Sequence, residues 1–324
     1  MPELPEVERA ADAITAVGAG KVIERVETNE DTIVYSGCTH EEFVSSTRCN
    51  IMSKVFYIDL EGEGKKPVLH FGMTGAIQVS ASRLADHGPT LSRTFAQIHG
   101  APTMHYRRKP TTSEPWPPRF TKFILHLRDP AASQGTALTQ IAFVDARRLG
   151  RIRLCDSPMT EPPISALGFD PILCMPPLEE FAASVKKRSC PIKALLLDQS
   201  FSAGVGNYVA DEILYHARVH PEQRCNSLTD VQVAALHLQT SEVCRIAVEA
   251  KADDEKYPEN WLFKWRWGKG KKEKHAMLLP SGEPATIKWL TVGGRTSAYV
   301  VELQHLTGEA KKGKKAAKAS CFYK

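Results

Sequence analysis

The chain opens Met-Pro-Glu-Leu-Pro-Glu, which places a proline and two carboxylates beside the amino terminus. The side chain at position 2 is small, so removal of Met1 is expected, leaving Pro2 as an N-terminal secondary amine. An α-amino group titrates near ~8 and a lysine near ~10.4. About a tenth of the former is therefore uncharged at neutral pH, against well under a thousandth of the latter. An uncharged amine attacks an electrophilic carbon and can form an iminium. Glu3 could serve as a general acid if its surroundings raise its pKa. Glu6 falls in a first helical turn, where the helix dipole favours a carboxylate. The same letters also read as an ordinary helix start, with Pro5 at the first helical position and acids behind it. Spacing alone leaves both readings open.

Further candidates are scattered along the chain. Lys54 sits inside the apolar run Met52–Leu60, Met73 on the glycine-flanked stretch His70–Gly75, and Arg147 and Leu149 in Asp145–Gly150. Taken singly, Lys54 is a solvated strand-end lysine, and the others are core or surface. Gly204-Val205-Gly206-Asn207 places flexible backbone and an N-cap residue at a helix start, where free amides and the dipole make a site for phosphate. Arg295 follows a Gly-Gly turn, from which a guanidinium can reach phosphates bidentately. The segment from Trp261 to Trp267 offers a base-stacking platform or core packing, and packing is the preferred reading. The eight cysteines include no C-x-x-C pair and are expected to be buried small hydrophobes, neither metal ligands nor disulfides.

The elements that must position these residues follow from periodicity. Pro5, Val7, Ala10, Ala11, Ile14 and Val17 form a helical stripe that ends at Gly18. Strand-like runs follow at Val22–Val26, Val55–Leu60, Val68–Phe71, Ala76–Val79, Phe123–Leu127 and Ile141–Val144, pointing to an antiparallel sandwich or barrel. Residues 80–118 are polar and rich in Pro, His and Arg, and read as a long insertion. Prolines accumulate from Pro158 to Pro177, after which the pattern turns helical over Leu178–Lys187, Ile192–Gln199, Asn207–Ala217 and Val231–Glu249. Two strands, Ala285–Val292 and Ala298–Leu303, close the fold. The lysine-rich end (Lys311, Lys312, Lys314, Lys315, Lys318) reads as a disordered tail, either solubilising or a nuclear address.

Composition bounds the rest. A chain of 324 residues, 42% hydrophobic and 24% charged, is of globular type and long enough for two cores. No apolar run approaches the ~20 residues that cross a bilayer. The acidic start lacks the apolar core of a signal peptide, so an intracellular protein without a membrane partner is expected. A net charge of +5 suits a nucleic-acid partner and many small-molecule enzymes alike.

Read in order, these motifs resemble the formamidopyrimidine-DNA glycosylase/endonuclease VIII family. MPELPEVE resembles its opening, His70–Gly75 its H-x-G-M-[ST]-G loop, and Asp145–Gly150 its D-x-R-[RK]-F-G loop. Ile192–Gln199 and Gly204–Leu214 resemble its helix-two-turn-helix. Val292–Val300 resembles the hairpin tip of a zincless branch found in plants and fungi, and no cysteine lies between Cys244 and Cys321 to build a zinc finger. The resemblance covers roughly residues 1–80 and 120–310.

The resemblance implies an α+β multidomain protein. An N-terminal antiparallel β-sandwich with an N-terminal helix would occupy 1–155 (insertion 80–118), with a linker at 156–181. A helix-two-turn-helix domain would follow at 182–250, a zincless finger hairpin at 251–309 and the basic tail at 310–324. It implies a bifunctional DNA glycosylase and abasic-site lyase of base excision repair that acts on oxidised bases through a Schiff base at Pro2, followed by β,δ-elimination. Glu3, Glu6 and Lys54 would serve catalysis, Lys54 beside the lesion's phosphate and sugar. Met73, Arg147 and Leu149 would fill the space left by an everted base, and Lys193, Asn207 and Arg295 would hold the DNA backbone. Leu149 stands where the family has an aromatic, which implies looser recognition of the opposite base. The branch implies formamidopyrimidines and hydantoins over 8-oxoguanine. The expected partner is damaged double-stranded DNA, with no metal or other cofactor, for a monomer that is nuclear if eukaryotic and cytoplasmic otherwise. The competing reading is a catalytically inactive DNA-damage-binding protein on the same scaffold.

Overall fold

Helix α1 (Leu4–Gly18) belongs to two cores at once. Val7, Ala10, Ala13, Ile14 and Val17, on one face of the helix, are buried in the core of a β-sandwich, whereas Leu4 is buried among the C-terminal helices. The computed structural model describes residues 3–46, 51–54, 57–60, 64–80, 98–99, 116–132, 138–269 and 277–307, with backbone alone at 51–54 and 98–99.

The sandwich consists of two antiparallel sheets. One is ordered β1-β7-β8-β5-β6, from Val22–Thr28, Thr121–Arg128, Thr139–Asp145, Gly75–Val79 and Ile98–His99. The other is ordered β2-β3-β4-β9, from Ile51–Lys54, Tyr57–Leu60, Lys66–His70 and Arg151–Cys155. Alternation along β7 sends Phe123, Leu125 and Leu127 into the shared core, and β8 adds Ile141 and Phe143. Ile58, Leu60, Leu69 and Ile152 enter from the facing sheet. Phe143 lies between Phe71 and Phe123, with ring centroids 5.9 and 5.6 Å away. Short helix α2 (His40–Ser46) closes one edge with Phe43 and starts on a capping box. The Thr39 amide donates to Glu42 at 2.8 Å and the Glu42 amide to Thr39 at 3.2 Å.

Four helices follow, α3 (Leu178–Lys186), α4 (Ile192–Leu196), α5 (Asn207–His216) and α6 (Asp230–Glu249), around a second core. Strands β10 (Ile287–Val292) and β11 (Arg295–Val300) form a hairpin across Gly293-Gly294. Both glycines have positive φ, 57° and 74°, as a two-residue turn matching strand twist requires. Trp261 and Phe263 enter the helical core and Leu262 the hairpin core, so this aromatic run packs the interior. Glu212 of α5 holds it there, accepting the Leu262 and Phe263 amides at 3.0 and 2.9 Å.

Three expectations change. The run read as a strand, Val55–Leu60, holds a strand only over Tyr57–Leu60, and an unanticipated strand, Ile51–Lys54, precedes it. β2 ends at Lys54, which pairs with Tyr57 of β3, so Lys54 stands at a hairpin end. The second hairpin strand begins at Arg295 and not Ala298, because the glycine pair alone makes the turn. Strand β9 and helix α2 were not anticipated. Of the insertion at 80–118, only 80, 98–99 and 116–118 are described, and Ile98–His99 pairs with Ala76 and Ile77. The basic tail lies outside the described residues.

Phe143 is fully buried between two aromatic neighbours. Phe143→Ala should therefore cost ~3–5 kcal/mol through lost burial and a cavity that packed sheets cannot close. Urea unfolding measures it, and a midpoint within error of the native protein would place the sandwich core elsewhere.

Candidate functional site

The amino-terminal segment is seated on the loop and helix that the sequence marks Gly204-Val205-Gly206-Asn207. The Leu4 amide donates to the Gly204 carbonyl at 2.8 Å. Glu3 lays its carboxylate across the N-terminus of α5, accepting the Tyr208 amide at 3.0 Å and the Val209 amide at 2.9 Å. Two of the helix's unpaired donors are thereby satisfied by a residue some two hundred positions away, and the dipole adds to the attraction. Gly206 is glycine for a steric reason: a Cβ there would lie 2.2 Å from Glu3 Cγ and Cδ.

Glu6, one turn further along α1, is buried against the same helix start. One of its oxygens accepts the Glu3 amide at 2.9 Å and the other the Tyr208 hydroxyl at 3.1 Å, which in turn lies 3.2 Å from the Tyr257 hydroxyl. Both acids are buried. Burial lifts Glu3 to about 7, against the Val209 and Tyr208 amides and the charge of Arg266. Burial, then the charge of Glu3, lifts Glu6 to about 8. Two carboxyl groups in one dry pocket resist ionising together, so the pair keeps a proton at neutral pH. Such a pair can donate and take back a proton near pH 7, which suits general acid–base chemistry. Pro2, bonded to the Glu3 nitrogen, lies outside the described residues.

A second constellation sits at the ends of the sandwich strands. Met73 occupies the turn between β4 and β5, and Arg147 and Leu149 the turn after β8. Met73 and Leu149 are each 37% exposed. Asp145, fully buried, ties the turns together. It accepts the Thr74 hydroxyl at 2.5 Å, the Arg147 amide at 3.2 Å and the Gly150 amide at 2.6 Å. Gly72, at φ 60°, lets the turns touch, since a Cβ there would stand 2.3 Å from the Leu149 carbonyl carbon. The three residues are thus presented together from linked loops.

The remaining candidates are placed differently. Lys193, expected at a phosphate, is corrected. It is fully buried, its ammonium paired with Asp211, whose other oxygen takes Arg266 at 2.6 Å and the Ala298 amide at 3.2 Å. An interior carboxylate draws the lysine inward, and the cluster joins α4, α5 and β11. Asn207 is corrected too. Gly206 is the N-cap, Asn207 is the first helical residue, and the amides expected to meet phosphate carry Glu3. The Asn207 side-chain oxygen is enclosed without a hydrogen bond among the described residues. Arg295 is exposed at the start of β11. For Lys54 only the backbone, at the end of β2, is described. Sequence reading missed Asp211, Arg266 and Tyr257 as site partners. Buried charge is the signal that reveals the first two, and no local pattern carries it.

Both acids bind protons more tightly in the fold than at their ordinary value of 4.5. The stability they confer is full at pH below that value and is lost as pH rises through about 7 to 8. The melting temperature of the native protein should fall between pH 5 and pH 8.5. Glu6→Gln should melt near the native protein at pH 5 and several degrees above it at pH 8.5. Parallel curves for the two proteins would contradict the shared-proton reading.

Comparison with known proteins adds the family. The formamidopyrimidine-DNA glycosylase N-terminal domain matches residues 1–152, and the formamidopyrimidine-DNA glycosylase H2TH domain residues 167–257. The chain is 37% identical to a formamidopyrimidine-DNA glycosylase of Arabidopsis thaliana over 98% of its own length and 74% of that protein. It is 31% identical to one from Roseiflexus sp. (strain RS-1), over 73% of this chain and 74% of the relative. Among solved structures, MutM (Fpg) from Thermus thermophilus superposes with a TM-score of 0.63 at 25% identity, covering 95% of this chain and 100% of that one. Lactococcus lactis formamidopyrimidine-DNA glycosylase, non-covalently bound to DNA containing an AP site, gives 0.65 at 19% identity, covering 93% and 99%, a likeness of fold. With motifs, fold and relatives in agreement over nearly the whole chain, this protein belongs to the formamidopyrimidine-DNA glycosylase family.

Proposed function

We propose that this chain is a bifunctional DNA glycosylase and abasic-site lyase of base excision repair, acting on oxidised bases in double-stranded DNA. The observation that carries the reading is the seat of Glu3 on α5. It anchors the residue bonded to Pro2 at the junction of the two cores, beside a buried acid pair poised near neutral pH. Family membership and solved relatives that hold damaged DNA support the partner.

In this mechanism the Pro2 nitrogen attacks C1′ of an everted nucleotide. The glycosidic C–N bond breaks, and the base leaves with a proton delivered through Glu3. The sugar ring opens to an iminium at Pro2. Loss of a C2′ proton to solvent expels the 3′ phosphate, loss of a further sugar proton to solvent expels the 5′ phosphate, and water hydrolyses the iminium to free Pro2 and the unsaturated sugar remnant, leaving a one-nucleotide gap. Glu6 keeps the proton inventory of Glu3 at one for the pair, and Lys54 steadies the lesion's phosphate and sugar. Met73, Arg147 and Leu149 occupy the space the base vacates, offsetting several kcal/mol of lost stacking. Arg295 faces the DNA backbone. Formamidopyrimidines and hydantoins are the lesions proposed ahead of 8-oxoguanine, and the lysine-rich tail is proposed as a nuclear address.

Borohydride trapping on duplex DNA with an abasic site tests the reading. Native protein should give a covalent adduct that Pro2→Gly loses or greatly weakens. Glu3→Gln should still trap the abasic site while losing excision of an oxidised base. Native protein that shifts this DNA but gives neither adduct nor strand break would be a damage-binding protein and not an enzyme.

A further inference from the structure

The turn that carries Arg147 and Leu149 is held from beneath by a residue far away in sequence. Between them Arg148 adopts a left-handed backbone conformation, φ 57°, which a non-glycine residue takes only when its surroundings impose it. Its guanidinium turns away from its neighbours and grips Asp31, with Nε 3.1 Å from both carboxylate oxygens and Nη2 2.9 Å from one. Asp31 is buried, at 7% exposure, in the connection between β1 and α2. Its carboxylate is fully occupied. The Lys122 ammonium of β7 donates at 2.8 Å, and the Ile33 and Val34 amides donate at 3.1 Å each. The connection is itself fixed to the sandwich. Val34 and Ser36 bracket Ile152 of β9 through hydrogen bonds of 2.8 and 2.9 Å, and the Tyr35 hydroxyl donates to the Lys122 carbonyl at 2.9 Å.

The two sides of Arg148 therefore have opposite fates. Its side chain is locked to a buried anion on a rigid support. Its backbone is left-handed at the same residue, and the flanking side chains, Arg147 and Leu149, are exposed on the turn that Asp145 and Thr74 tie to Met73. An arginine with a bidentate grip on a carboxylate tolerates no sliding, unlike a lysine held as a point charge. A loop that must push into a base stack needs such backing, because a soft loop yields where the stack should.

We propose that Asp31 is a positioning residue for base eversion: by clamping Arg148 it stiffens the turn that drives Arg147 and Leu149 into the duplex. The proposal rests on reading the protein as a base-everting glycosylase. Asp31 itself touches no DNA, so its loss acts on the wedge and leaves backbone contacts alone.

The test uses full-length protein and two DNA duplexes, one with an oxidised base and one with a preformed abasic site, where no base has to be levered out. 2-Aminopurine, whose fluorescence rises when it unstacks, is placed next to the target in each. Asp31→Asn should lower single-turnover excision at least tenfold, change cleavage at the abasic site less than threefold, and blunt the fluorescence rise on the lesion duplex. Asp31→Glu should recover part of both losses. Arg148→Met, which breaks the same clamp while leaving the Asp31–Lys122 pair intact, should reproduce the split and guards against a folding defect at Asp31. Native-like excision and fluorescence in Asp31→Asn and Arg148→Met would overturn the proposal, as would equal losses on both duplexes. The fluorescence arm reads insertion without chemistry. A native protein that unstacks the probe yet cuts neither duplex would sink the enzyme reading, while the variants still decide the role of Asp31.

Discussion

The structure depends on one carboxylate meeting two amides. Glu3 caps helix α5 from outside its own domain, and the residues on either side of that contact follow from it. Gly206 has no side chain because Glu3 passes through the space. Leu4 is carried into the helical core, and the rest of α1 stays with the sandwich. A single helix thus joins the two cores, and the first residue before it is fixed at their junction. A charge-assisted hydrogen bond in a dry site is worth more than one in water, which suits it to this anchoring role.

The same burial is costly. Burial raises the proton affinity of both carboxyl groups, and the charge of Glu3 raises that of Glu6 further, so the fold is less stable at pH 8 than the same fold with neutral residues there. A proton held near neutrality at the expense of stability is a common signature of functional sites. The Lys193–Asp211–Arg266 cluster lies nearby and serves another purpose. It pins the β10-β11 hairpin to α4 and α5 through side chains and through the Ala298 amide. The sandwich end is built by related means. Asp145 and Asp31, both buried, gather amides and cations so that neighbouring apolar side chains can stay exposed.

What was legible in the sequence was local. The stripe of α1, the apolar runs of β7 and β8 and the glycine pair of the hairpin each encode their own geometry, and the structure follows them to within a few residues. The motifs were legible too, because Met73, Arg147 and Leu149 sit on turns announced by glycine. Long-range pairing was not. Lys193 looks like any surface lysine until Asp211, on a different helix, is brought beside it. Asn207 looks like an N-cap because the residue that satisfies the helix amides stands at position 3. Met52–Leu60 has no glycine or proline to betray a turn, so an unbroken apolar run concealed a hairpin. Asp31 gave no signal at all, since its partners are 91 and 117 positions away.

The amine of residue 2 is the group that the Glu3 anchor is proposed to deliver to the sugar. Mass spectrometry of the borohydride-reduced adduct locates that bond directly. After digestion of both protein and DNA, the sugar remnant is predicted on the N-terminal peptide, at the Pro2 nitrogen, with Met1 absent. A remnant on Lys54 or any other lysine, with an unmodified N-terminal peptide, would contradict it.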